Sequence, residues 1–177
     1  MFKIDSAQKI ALICAAGIAV NMLGARVAQS LNLPIFLDTY GTVFIAALGG
    51  YVPGIAVGFF TNLLGALFNS AEMYFGFVSI AVAIITAFLY QRGYYDSLSK
   101  VFLTVPFTAL TTSFFGALIE EYIYFAQPSD TLMKFWLHYR ENFFNEFPDK
   151  ALAILVAFVL LKIFPAELKR SEEHTSE

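Results

Sequence analysis

The sequence predicts an all-α integral membrane protein: six transmembrane helices in a compact bundle, with a short amphipathic helix between helices 5 and 6. Three observations carry that expectation. Hydrophobic residues make up 58% of the 177-residue chain and charged residues only 14%, against about 25% charged in an ordinary soluble domain. A domain of this size leaves much of its surface exposed, so one small core cannot bury so much apolar side chain. The apolar residues also fall into runs near the roughly 20 residues that a bilayer crossing needs. Mean hydropathy is +0.66.

Helix 1 is expected over 9–31, ended by Asn32-Leu33-Pro34. It is too long for the core of a cleaved signal peptide, so it reads as a retained helix. A short helix 2 fits 36–50, and Gly49-Gly50 and Pro53 separate it from helix 3 at 53–69. Helix 4 fits 73–91, helix 5 fits 100–126 and helix 6 fits 150–164, stopped by Pro165. Between helices 5 and 6, residues 132–147 put Leu132, Trp136, Tyr139, Phe143 and Phe147 on one helical face and His138, Glu141, Asn142 and Asn145 on another. That pattern predicts an interfacial helix lying on the outer leaflet.

Residues 1–169 are expected to form a single domain. After Lys169 the chain turns abruptly polar, and residues 170–177 resemble the in-frame translation of a short-read sequencing adapter. The expectation is a non-native tail, with a natural chain that can continue past Lys169. Setting the tail aside lowers the basic count from 11 to 10 and the acidic count from 14 to 11, so the net charge is -1 rather than -3.

With six spans, Lys3, Lys9, Arg92, Lys100, Lys162 and Lys169 share one side, and Arg26, Lys134, Arg140 and Lys150 share the other. The excess predicts a cell-membrane protein with both termini cytoplasmic. Asp38, Glu72, Glu120, Glu121, Asp130, Glu141, Glu146 and Asp149 would all face outward. An electronegative mouth favours cationic or zwitterionic ligands. The absence of a basic block excludes nucleic acid as a partner. Cys14 is the sole cysteine, so no intrachain disulfide is expected.

Polar groups at membrane depth point to a site, because they are costly there. Asp38 either caps helix 2 or meets a ligand. Asn62 lies within helix 3, where it can hydrogen-bond a neighbouring helix, and Glu120-Glu121 interrupt the end of helix 5. Arg26 is expected to pair with one of these acids. Ala11, Ala15 and Ala19 form a small-residue ridge, and Gly50, Gly54 and Gly58 form another that reads as internal packing. His138 and Glu141 alone make a poor metal site. Without a phosphate loop, a His-Glu-x-x-His pair or a nucleophile with its base, neither an enzyme nor a cofactor is expected.

Leu33-Pro34-Ile35-Phe36-Leu37-Asp38-Thr39-Tyr40-Gly41-Thr42, Gly54 to Asn62, and Pro148-Asp149-Lys150-Ala151-Leu152 resemble the substrate-binding S components of energy-coupling-factor (ECF) transporters. The resemblance spans residues 9–165. It implies capture of a vitamin-like micronutrient at the outer face, with delivery through a membrane scaffold subunit driven by separate ATPase subunits. It further implies that Ala11, Ala15 and Ala19 dock on the scaffold, and that the loop between helices 1 and 2 is a lid. By topology it nominates Asp38, Asn69, Glu72, Tyr74, Glu120, Tyr124, Asn145 and Lys150 for substrate binding. Metal-transporting members carry a histidine at the extreme N-terminus, where this chain has Met1-Phe2-Lys3. Two readings compete with this one: the membrane sensor domain of a truncated histidine kinase, and a structural membrane protein without a ligand.

Overall fold

A computed structural model describes residues 6–124 and 131–163. The described residues are helical, in the order α1 (Ser6–Ser30), α2 (Tyr40–Gly49), α3 (Tyr51–Gly65), α4 (Glu72–Gln91), α5 (Leu98–Ile119), a π turn (Glu120–Tyr124) and α6 (Thr131–Ile163). Ala7–Ser30, Glu72–Gln91 and Leu98–Ile123 are long and apolar enough to cross a membrane, and α2 and α3 are shorter apolar helices. The protein is therefore an all-α chain with candidate membrane spans. The tail after Lys169 and Pro165 lie outside the described residues.

The α1 helix stops where Asn32 turns to a positive φ of 50°. Leu33 N–H then reaches back to the Ala28 carbonyl at 2.9 Å, the reversed bonding that commonly closes a helix. A single residue, Gly50, separates α2 from α3. Its φ of 77° is open to glycine without cost, and it folds the two helices into a hairpin. Asn21 of α1 reveals the pairing. Its Nδ2 donates to Thr42 Oγ1 of α2 at 2.9 Å and to Thr61 Oγ1 of α3 at 3.1 Å, while Oδ1 accepts Gly41 N–H at 2.7 Å. One buried amide thus ties three helices. Glycines let them approach: a Cβ on Gly41 would overlap the Gly17 carbonyl of α1. Two members of the glycine ridge pack internally as expected, Gly54 against Ala46 and Gly58 against Ser79 of α4, whereas a Cβ on Gly50 would meet nothing within 4 Å.

Two expectations about α6 are corrected. The interfacial helix and helix 6 are one continuous helix of 33 residues that runs through Pro148. Proline removes one rung of the hydrogen-bond ladder, a loss that helices in lipid tolerate where neighbours satisfy the freed groups. The polar face also points the other way. Leu132, Met133, Trp136 and Phe144 are each more than half open, while Tyr139 and Phe143 are half-buried and Phe135 is buried. His138, Asn142 and Glu146 turn inward onto α5 and the π turn, antiparallel to Glu120, Gly116 and Thr112.

Packing is uneven along the bundle. Val43, Val82, Val101, Val105, Ile154 and Ala157 fill the end near the α4–α5 connection. There Lys162 of α6 donates to the Asp96 carbonyl at 3.2 Å. The opposite end, between the α1–α2 connection and the middle of α6, is hollow.

Candidate functional site

The hollow is a cavity of about 520 Å³ lined from α1, the α1–α2 connection, α3, α4, the end of α5 and α6. Its size falls within the ~300–1,000 Å³ typical of small-molecule sites. Five of the eight nominated binding residues line it: Asp38, Asn69, Glu72, Glu120 and Lys150. Three do not come together there. Tyr74 is exposed on α4. Asn145 sits with Arg140, Glu141 and Phe144 in a shallow surface depression on α6. Tyr124 ends the π turn and its side chain lies outside the described residues.

The anchor of the site is Lys150, 1% exposed in the wall formed by α6. Its Nζ donates to Asp149 Oδ2 at 2.7 Å and Thr39 Oγ1 at 3.2 Å, and pairs with Glu146 Oε2 at 2.8 Å. Three ammonium hydrogens meet three acceptors, so the cation is fully committed within the protein. Glu146 Oε2 also accepts from Thr112 Oγ1 of α5 at 3.0 Å. Asp149, 0% exposed, takes the backbone N–H groups of Phe36 and Leu37 on its Oδ1, at 3.2 and 2.8 Å. The α1–α2 connection is thereby clasped onto α6. Leu37 is held at φ 54°, a left-handed conformation costly to a non-glycine residue.

Asp38 lies in that connection, beside the network. It does not cap α2: Thr39 is the N-cap, makes no side-chain capping bond, and accepts from Lys150 on its hydroxyl oxygen. Burial is the main cause that pushes the Asp38 carboxyl from 3.8 up to about 7; Lys150 opposes the rise, and Asp149 and Glu146 add to it. Among the described residues Arg26 does not pair with an acid as expected. Its Nη1 donates to Gln29 Oε1 at 3.0 Å and the guanidinium lies 4.4 Å from the centre of the Phe68 ring, a cation–π contact.

Several lining residues were not nominated from the sequence. Asn62, 6% exposed, donates from Nδ2 to the Gly58 carbonyl at 3.0 Å and to Ser79 Oγ of α4 at 2.7 Å. The expected bond to a neighbouring helix is present, and the same side chain lines the cavity. Asn142 donates from Nδ2 to Glu120 Oε2 at 3.1 Å. His138 Nδ1 lies 3.7 Å from Glu120 Oε2 and 3.8 Å from Glu121 Oε2. The signal that would have found Asn142 and Glu146 is periodic: with His138 and Lys150 they recur every four residues on one face of α6. No group of three or more His, Cys, Asp or Glu suited to a metal ion occurs among the described residues.

Carboxylates outnumber cations in the lining: Asp38, Glu72, Glu120 and Glu146 against Arg26 and Lys150. On the far side of α1, Ala11, Ala15 and Ala19 are all exposed, while Gly17, Asn21 and Ala28 face the bundle. Compared with family models, with curated proteins and with solved structures, the chain finds no match.

Proposed function

We propose that this chain is the membrane-embedded substrate-capture subunit of an ECF-type transporter, binding a vitamin-like micronutrient in the cavity and handing it on without chemical change. The observation that carries the reading is the cavity itself: sized for a small molecule, mostly apolar with a few convergent polar side chains, and covered by a connection that Asp149 clasps to α6. In this reading the helices make six crossings. The short α2–α3 hairpin, about 15 and 22 Å along its two arms at 1.5 Å per residue, leaves room for the hollow above a packed floor. Lys9, Arg92, Lys100 and Lys162 belong to the end away from the cavity, the basic side that faces the cytoplasm in bacterial membranes. Both termini then lie inside and the cavity faces out.

The exposed alanine ridge of α1 supports docking on a scaffold subunit. Small side chains let a partner helix come close where lipid supplies no hydrophobic driving force. Energy would come from ATPase subunits of the same assembly. The direct test is mass spectrometry of small molecules released from the protein purified in lipid nanodiscs, with uptake measured in cells that co-express a scaffold and its ATPases. A stoichiometric small-molecule ligand and scaffold-dependent uptake are expected. A chain that carries no ligand and drives no uptake refutes the proposal.

A further inference from the structure

The hydrogen-bonding state of the cavity lining specifies more than its size. Asn62 is fixed in orientation, because the Gly58 carbonyl can only accept. Both Nδ2 hydrogens are used, on Gly58 and Ser79. Its Oδ1 has no partner among the described residues, although the side chain is 6% exposed and lines the cavity. Asn142 is fixed in the same way by the Glu120 carboxylate, with its own Oδ1 left as an acceptor. Glu146, 8% exposed, receives Lys150 and Thr112 on Oε2 alone, and Oε1 remains. Lys150 spends all of its N–H groups on protein oxygens.

The interior therefore presents acceptors whose donors are already occupied, in a lining where carboxylates exceed cations. These oxygens belong to side chains that line the cavity, and an occupant that displaces water from them must itself supply donors, because a polar group desolvated without a partner is costly. Resting on the reading of this cavity as the ligand site, we infer that its ligand is an organic cation rich in N–H donors, seated with its positive end among Asn62, Asn142, Glu120 and Glu146. An anion would meet committed donors and uncompensated carboxylates. Among the described lining residues Arg26, engaged with Gln29 and Phe68, is the cation with N–H groups to spare, so any acidic group on the ligand would point toward it.

Benzamidinium, benzamide and benzoate form a probe series of nearly equal size and shape that differs in charge and in N–H donors. Their dissociation constants are measured on the full chain in nanodiscs. Benzamidinium is expected to bind at least about tenfold more tightly than benzoate, as charge interactions in a poorly hydrated site allow, with benzamide between. Glu120→Gln keeps the Asn142 bond and is expected to weaken benzamidinium at least about fivefold without weakening benzoate. Should that variant fail to fold, the ranking of the three probes on the wild-type chain remains the deciding measurement. Benzoate binding as tightly as benzamidinium overturns the charge assignment and leaves the capture reading standing. Binding of none of the three, with no native ligand released, overturns both.

Discussion

Replacing Lys150 with methionine keeps the side chain's length and apolar stem but removes the charge that holds the site together. In the wild type the ammonium sits 2.7 Å from Asp149 and 2.8 Å from Glu146, with all three residues nearly or fully buried. Removing one member of such a cluster leaves uncompensated charge and typically costs about 3–5 kcal/mol. At roughly 2–4 °C per kcal/mol for a chain of this size, the melting temperature should drop by roughly 6–20 °C. The loss should shrink on acidification, since protonated carboxyls need no counter-charge. The triple variant Lys150→Met, Glu146→Gln, Asp149→Asn should recover most of it, because an amide oxygen at position 149 can still accept from Phe36 and Leu37. The assay is thermal unfolding in detergent across pH, with hydrogen exchange at Phe36 and Leu37 reporting the clasp. A Lys150→Met protein that melts within a degree of wild type, with those two amides equally protected, would refute the reasoning.

Three other outcomes are expected. Gly41→Ala pushes a methyl group into the Gly17 carbonyl; overpacking of this kind costs about 1–3 kcal/mol, and unchanged thermal stability would show that α1 and α2 approach less closely. The Asp38 carboxyl titrates near 7 in the folded chain against an ordinary 3.8, so its contribution to stability is full below pH 3.8 and is lost as pH rises through about 7. Asp38→Asn should therefore match wild type at pH 4 and exceed it at pH 8, and a constant difference between the two across that range would contradict the burial of this group. Ala15→Trp, on the exposed face of α1, should leave unfolding and ligand binding unchanged while abolishing scaffold-dependent uptake; loss of binding would mean that the ridge packs internally.

The helices and their order were legible because apolar runs and glycine or proline breaks are local signals. Asp38, Glu120 and Lys150 were legible as well, since ionisable groups beside apolar runs are conspicuous. What escaped were facts that depend on the surrounding solvent. Periodicity divides α6 into two faces but does not say which turns inward. Trp136 and Phe144 lie on the surface and His138, Asn142 and Glu146 turn toward α5, the reverse of what is expected of a helix lying on a membrane. Pro148 hid the continuity of that helix, and with it the four-residue spacing that carries the polar stripe down to Lys150. Asn21 gave no distinguishing signal, and Asn62 stood out only as a polar group within an apolar helix. An amide in an apolar helix reads the same whether it knots three helices together or turns an oxygen toward a ligand.

The clasp formed by Asp149 has an evolutionary corollary. It grips the peptide N–H groups of Phe36 and Leu37, and every residue except proline supplies such a group. The side chains at 33, 35 and 36 border the cavity yet carry none of the attachment. They can therefore be exchanged freely to suit a new compound while the strap stays fastened. A library randomised at those three positions, with Asp149 and Lys150 held constant, is the natural starting point for reshaping this cavity.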